Sequence, residues 1–379
     1  MLAEMGRTVI ITAHTNQAID NVLLKLLKQD VKFMRIGKVS RMQKEVRPFS
    51  EDSLIENCTT TLELKKAYSS VNVFAGTCFS VNSHLVFSFR AIEYCIVDEA
   101  SQISLPENLM PLFRCKKFIL VGDPQQLPPI VRSQEAKKAG LEQTLFALLI
   151  SRSNCIELTI QYRMNREIMR IANECTYQNR LTAGTQEIAD ATLRLGSRPV
   201  DSRLIVSDIE AAGRSWINRC LCDTIESSVM FLDTDDQVAE HEADANGEIH
   251  NPFEVNVLTK LIGELVEKKF PIGEVGVIAP YQRQVKSLRA LVRLYNVEVS
   301  TIDQYQGRDK EIILISCVKC TRNVRAESTE ILNDVRRLNV AMTRARKKLV
   351  LVGSRSTLKY YRPFEKLFAS LRESQFLKL

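Results

Sequence analysis

The chain has 379 residues, 45% of them apolar and 26% charged, with a formal net charge of +7 at pH 7. This length suits two domains that can each bury a core, and the balance is that of a soluble globular protein. The charge permits a polyanionic partner without requiring one. No apolar stretch approaches the ~20 residues that span a bilayer, which excludes a helical membrane protein.

Apolar, β-rich runs recur at 8–12, 71–75, 94–97, 118–121, 229–232, 275–279, 312–317 and 349–352. Amphipathic stretches lie between several of them. The stretch 16–27 sets Ile19, Val22, Leu23, Leu26 and Leu27 on one helical face. Strands alternating with helices predict parallel α/β sheets. The strands are too many for one sheet, so two domains are expected, 1–155 and 156–379. Two segments break the pattern. Residues 38–70 are charged and read as a helical insertion. Residues 183–250 are polar, carry Trp216 and the acidic run Asp233–Asp236, and read as a variable insertion.

Ten cysteines are present. Cys78, Cys95, Cys155 and Cys175 sit in apparent strands or helices, where a free thiol acts as a small hydrophobe. That usage points to a reducing compartment. Cys317 and Cys320 have metal-like spacing but no partner pair, Cys220 and Cys222 fare no better, and His14, His84, His241 and His250 are scattered. No structural zinc is expected. The opening residues do not read as a secretory signal or transit peptide.

The most informative stretch is 93–129, EYCIVDEASQISLPENLMPLFRCKKFILVGDPQQLPP. One apolar run delivers Asp98 and Glu99, and the next delivers Gly122, Asp123, Gln125 and Gln126. In open α/β sheets, ligands gather at the carboxyl ends of such strands. A lone Asp-Glu pair would read as a solvated turn. Two polar clusters, each after an apolar run and one βα unit apart, read as equipment for nucleoside triphosphate hydrolysis. Downstream, Gln161-Tyr162-Arg163-Met164 offers a ring for stacking and a guanidinium fork for phosphate, with a helix-start Tyr and a surface Arg as the alternative. The stretch 300–310, STIDQYQGRDK, reads as a ligand-touching loop or a turn. The stretch 336–346, RRLNVAMTRAR, projects Arg337 and Arg344 at helical spacing. An arginine there can stabilise charge on a transferred phosphoryl group, whereas Arg346 and Lys347 read as a solvated face.

In this order VDEASQ, VGDPQQLPP, QYRM, STIDQYQGRDK and RRLNVAMTRAR resemble motifs II to VI of superfamily 1 helicases of the 5′-to-3′ kind. TAHTNQAIDN is similar to motif Ia, and FAGTC to the Gly-Thr segment that touches the nucleic-acid strand. Within the superfamily, QYRMN, YQGRDK and the closing YRPFEKLFASL resemble the C-terminal helicase region of the eukaryotic DNA replication ATP-dependent helicase/nuclease family. The resemblance implies an α/β chain of two RecA-like domains (the P-loop NTPase fold), with ATP between them and single-stranded nucleic acid across the top. It implies that Asp98 holds Mg²⁺, Glu99 activates the attacking water and Gln126 senses the γ-phosphate. Tyr162 would stack on adenine, and Arg163 and Arg344 would reach the γ-phosphate. Asp123, Gly307, Asp309 and Arg337 fall in nucleotide-contacting motifs, although Asp309 stands where Glu is usual. Thr15, Asn16, Thr77, Pro280, Tyr281 and Thr301 would line the strand path. The implied partners are single-stranded DNA, with RNA as the alternative, and replication and repair proteins, in the nucleus and away from membranes. A catalytically inactive nucleic-acid-binding relative is the reading from a different class.

The phosphate-cradling pattern G-x-x-x-x-G-K-[ST] is absent. The resemblance places that loop, the first strand, and the nuclease module with its iron–sulfur cysteines upstream of motif Ia. No iron–sulfur cluster is expected in this portion, and the polypeptide as given is expected to hydrolyse ATP negligibly.

Overall fold

The computed structural model describes residues 1–151, 154–195, 216–237, 240–245, 247–305, 307–321 and 330–379. They form two compact units, Met1–Ile156 and Glu157–Leu379. Among the described residues, no helix is long and apolar enough to cross a membrane.

The first unit is built on five strands: β1 (Val9–Ala13), β2 (Phe33–Arg35), β3 (Val73–Thr77), β4 (Ile92–Asp98) and β5 (Cys115–Leu120). They pair in parallel in the order β2-β3-β1-β4-β5. β1 is buried along its whole length, as a parallel strand covered on both faces should be. Its residues alternate between two cores. Val9, Ile11 and Ala13 pack with Ile19 and Leu23 of the helix Asn16–Leu27. Ile10 packs on the other face with Phe74, Cys95 and Val97. That helix begins at 16 because the Thr15 side chain accepts from the Ala18 N–H, satisfying one orphan donor of the first turn. The segment 38–70 contains two short 3₁₀ turns and the helices Glu51–Ile55 and Thr61–Ser69, the second started by a Thr60/Glu63 capping box. β5 has one neighbour among the described residues, and Phe118 and Ile119 on it are each 46% exposed.

The second unit is built on β8 (Val229–Asp233), β11 (Val275–Ala279), β12 (Glu298–Thr301), β13 (Lys310–Ser316), β14 (Ala345–Gly353) and β15 (Phe376–Lys378). The order is β12-β11-β13-β14-β8-β15, parallel throughout. The helix Pro252–Glu267 starts with Pro252 in its first turn and an Asn251 cap, and it buries Leu258, Leu261 and Ile262 against β11, β13 and β14. Two minor pairs are β6 (Ile160–Gln161) with β7 (Thr182–Ala183), and β9 (Glu242–Ala243) with β10 (Ile249–His250).

One expectation needs correcting. The span 183–250 is not a single insertion, because β8 lies inside it and runs fully buried between β14 and β15. Its apolar sequence Val-Met-Phe-Leu makes a buried strand of the main sheet, one place in from the edge strand β15. The parts of that span at 196–215, 238–239 and 246 lie outside the described residues.

Candidate nucleotide and nucleic-acid sites

In the first unit the expected site residues collect at one end of the sheet. Ala13 at the end of β1 is the Cα partner of Thr77 on β3 and of Asp98 on β4. Thr15 and Asn16 follow β1 directly, and Thr77 caps the short helix Cys78–Asn82 through its hydroxyl. Glu99 takes a left-handed φ of 53°, an unusual conformation for a non-glycine residue. It turns the chain after Asp98, and Ala100 N–H then donates to the Val121 carbonyl at 2.8 Å. The Glu99 carboxylate accepts from Gln102 Nε2 at 2.7 Å. Burial pushes the Asp98 carboxyl up, offset by the Glu99 backbone N–H and by Lys25.

The loop after β5 is tied to the acid pair. The Asp123 N–H donates to Ser101 Oγ at 3.2 Å. Asp123 accepts from the Gln125 N–H at 2.8 Å and from Gln126 Nε2 at 3.1 Å. Gly122 is required here, since a Cβ would lie 2.9 Å from the Ser101 backbone nitrogen. Ser101 thus fixes the spacing between the two clusters, a role that its place inside VDEASQ did not announce.

In the second unit the expected residues divide between the two ends of the sheet. Pro280 and Tyr281 follow β11, and Thr301 at the end of β12 is the Cα partner of Ala279. Burial pushes the Tyr281 hydroxyl well above its usual range. At the opposite end, Arg344 precedes β14 and Asp309 precedes β13, and Lys310 N–H donates to the Arg344 carbonyl at 3.0 Å. Arg344 is buried, with Nε donating to the Val340 carbonyl at 3.0 Å and Nη2 to the Thr343 hydroxyl at 3.2 Å. Arg163 is exposed and donates from Nη1 to the Thr343 carbonyl at 3.3 Å.

Gln161 shapes the QYRM turn: its side-chain oxygen accepts from the Arg163 and Met164 N–H groups, and its Nε2 donates to the Met164 carbonyl. Tyr162 is 66% exposed and its ring lies against Gly184, where a Cβ would come within 2.2 Å. Arg337 forms ion pairs with Asp303 at 3.1 Å and Asp334 at 2.8 Å. It thereby joins the helix Val335–Met342 to the loop after β12. Asp309 lies 3.6 Å from Arg346, which also pairs with Glu274 and keeps 36% of its side chain exposed; it lies on β14, not on a helix face. Gly307 has φ 73°, a conformation that suits glycine.

Among the described residues, no group of three or more His, Cys, Asp or Glu side chains could hold a metal by itself. A Mg²⁺ ion, which keeps several waters and takes one or two carboxylates plus phosphate oxygens, does not need such a group. Asp98, half-buried at the end of β4, is a carboxylate that could serve as such a ligand. The phosphate-loop pattern G-x-x-x-x-G-K-[ST] does not occur in the 379 residues.

The two units are mixed α/β with parallel sheets; carboxylates stand at strand ends of the first, and arginines meet at the end of a helix of the second. Residues 59–134 and 141–356 each match a family model described as an AAA domain. The second match alone covers more than half of the 379 residues, and the chain belongs to this family. It is similar to "DNA replication ATP-dependent helicase/nuclease DNA2" of Mus musculus, 38% identical over 384 residues, covering 100% of this chain and 36% of that protein. The protein of the same name from Homo sapiens is 37% identical with the same coverage, and that of Saccharomyces cerevisiae is 34% identical over 370 residues, covering 94% of this chain and 23% of that protein. The similarity falls in their C-terminal helicase region, so the expected resemblance is borne out. The chain spans between 23% and 36% of the length of these curated relatives. Among solved structures, an arterivirus nonstructural protein 10 helicase in complex with DNA aligns at a TM-score of 0.49 and 13% identity, covering 94% of this chain and 56% of that chain.

Proposed function

We propose that this chain is the motor portion of an ATP-dependent DNA helicase/nuclease that acts on single-stranded flaps or ends in nuclear replication and repair. The observation that carries the reading is the register around Ala13, which sets Thr77 on one side and Asp98 on the other. This register supports the reading, because the residues assigned here to the strand path and to the nucleotide stand at the same end of one sheet.

Asp98 offers an oxygen ligand to Mg²⁺, which when bound offsets the charge of the phosphates. Glu99 accepts the proton of the attacking water. Gln126, anchored through its amide on Asp123, orients toward the γ-phosphate. Tyr162 presents an open ring to adenine. Arg163 and Arg344 place positive charge on the phosphoryl group in transfer, where positioning and electrostatics dominate catalysis. Asp123, Gly307, Asp309 and Arg337 shape the loops that carry these groups. Thr15, Asn16, Thr77, Pro280, Tyr281 and Thr301 contact the nucleic-acid backbone through small polar groups and a ring, without base readout.

The 379 residues contain no phosphate loop, so the β- and γ-phosphates lack their amide cradle. We therefore propose that this polypeptide by itself hydrolyses ATP negligibly. The open outer edge of β5, with Phe118 and Ile119 exposed, suits the addition of a parallel strand that leads into such a loop. We further propose that this portion, whose ten cysteines are free thiols, holds no iron–sulfur cluster.

Two assays test the reading. Binding to matched single-stranded DNA and RNA is measured at one fixed salt concentration, since backbone affinity depends on salt. Hydrolysis of radiolabelled ATP is measured with single-stranded DNA present. DNA binding at least equal to RNA binding, with negligible turnover, is expected. Clear preference for RNA would contradict the replication assignment. Turnover within about an order of magnitude of a loop-containing relative would contradict the hydrolytic defect.

A further inference from the structure

Arg35, the last residue of β2, is fully buried and spends its donors on three partners. Nε donates to Asp20 Oδ1 at 2.8 Å, Nη1 to the Ile36 carbonyl at 2.6 Å and Nη2 to Asn16 Oδ1 at 2.8 Å. Asp20 is also fully buried, and its second oxygen accepts from the Gln43 N–H at 2.8 Å. Asn16 and Asp20 are four residues apart on one helix, so a single guanidinium can clamp both. The guanidinium also sits close under Gly37, where a Cβ would lie 3.6 Å from Nη1 and 3.5 Å from Ser80 Oγ. Ser80 Oγ in turn bonds the Thr77 hydroxyl at 2.8 Å.

A buried ion pair is weak evidence of a stabilising role, because apolar residues of similar volume hold elements together without desolvating two charges. What an apolar pair would not do is fix the Asn16 amide. With its oxygen held by Arg35, the planar amide presents its NH₂ group on the opposite side, at the half-exposed start of the helix Asn16–Leu27. We infer that Arg35, held in place by Asp20, is a positioning residue for nucleic-acid binding: it orients the Asn16 amide as a donor to the strand backbone. This rests on the proposal that Asn16 lies on the strand path.

The test is a double-mutant cycle on the 379-residue chain, reading affinity for a fluorescein-labelled oligo(dT) by anisotropy at one salt concentration. Lys at 35 keeps the charge beside Asp20 but cannot fork to Asn16. Asn16→Ala and Arg35→Lys are each expected to weaken binding roughly 5- to 10-fold, about the net value of one ordinary hydrogen bond. Together they are expected to weaken it no more than Asn16→Ala alone, since residues acting through one contact are not additive. Equal losses from Arg35→Lys in both backgrounds would mean general destabilisation and would overturn the inference, as would wild-type affinity in Arg35→Lys. Asp20→Asn, which preserves volume and an acceptor for Gln43, gives the same readout if Arg35→Lys does not fold: its loss must vanish in the Asn16→Ala background. Failure of the wild-type chain to bind, or undiminished binding by Asn16→Ala, would instead remove Asn16 from the strand path, and the inference with it.

Discussion

Arg163 and Thr343 stand 180 residues apart in sequence, yet Arg163 Nη1 donates to the Thr343 carbonyl at 3.3 Å. Arg344 donates to the hydroxyl of the same threonine at 3.2 Å. Two guanidinium groups thus converge on the residue that ends the helix Val335–Met342, where exposed carbonyls favour positive charge. The arrangement gathers both arginines at one place in the second unit and differentiates them, one exposed and one buried.

That difference gives the first prediction. In a version of the chain extended to carry a G-x-x-x-x-G-K-[ST] loop, Arg163→Ala and Arg344→Ala should each lower ATP turnover, by roughly 10²- to 10³-fold for loss of a charge that stabilises the transition state. Thermal unfolding should separate them. Arg344→Ala should also lower stability by about 1–3 kcal/mol, because the buried Val340 carbonyl and Thr343 hydroxyl lose a donor and a partner. Arg163→Ala should change it little. Unchanged turnover in either variant removes that arginine from its role.

Glu99→Gln in the same extended chain should keep ATP binding and lower hydrolysis by roughly 10²- to 10⁴-fold, the range for a general base. The amide is isosteric, so the left-handed turn at φ 53° and the contact with Gln102 have no steric reason to change. Nucleotide affinity and single-turnover rate, measured together, check this. A loss of binding as large as the loss of rate would argue for a structural role.

Gly184→Ala tests the seat of Tyr162. The added Cβ would sit 2.2 Å from the ring, so the ring must leave its place. In the extended chain KM for ATP should rise by about 10-fold while kcat changes little, the pattern of a lost ground-state binding contact. Tyr162→Phe should behave as wild type, since it keeps the ring. An unchanged KM in Gly184→Ala would show that the ring position does not matter to the nucleotide.

How much of this was legible in sequence depended on how local each feature is. The helix 16–27 was readable because its cap, Thr15, and its apolar stripe lie within it. β1, β4, β11 and β14 were readable because buried parallel strands are continuous apolar runs. β2 and β15 are three residues long and β12 is Glu-Val-Ser-Thr, too short or too polar to stand out from a loop. The site motifs were legible as polar clusters after such runs. Their anchoring was not, because it depends on partners distant in sequence: Asp303 for Arg337, Thr343 for Arg163, Gly184 for Tyr162. The buried state of Arg344 was likewise invisible, since an Arg-rich helix reads as solvated until its neighbours are placed.

Glu254 supplies a pH prediction in the second unit. It is fully buried, and burial pushes its carboxyl up to about 8, against hydrogen bonds from Ser316 and the Val318 N–H that favour the charged form. The unfolded chain releases this proton near the ordinary value of 4.5 and the folded chain near 8, so between those values the folded state binds more protons. Stability should therefore be full below about pH 4.5 and fall as pH rises toward 8. Glu254→Gln mimics the protonated acid and should flatten that slope. Melting temperatures of both proteins across this range check it, and parallel slopes would contradict the assignment.

The central claim is that this chain, once supplied with a phosphate loop, hydrolyses ATP in a way that depends on Glu99 and on Arg344 and responds to single-stranded DNA. The most direct measurement is steady-state ATP turnover with and without oligo(dT), in the 379-residue chain and in the loop-extended chain. The account predicts negligible turnover in the first, and in the second a turnover that oligo(dT) stimulates and that Glu99→Gln and Arg344→Ala each abolish. Turnover in the loop-extended chain that is indifferent to oligo(dT), or that survives both substitutions, would contradict it.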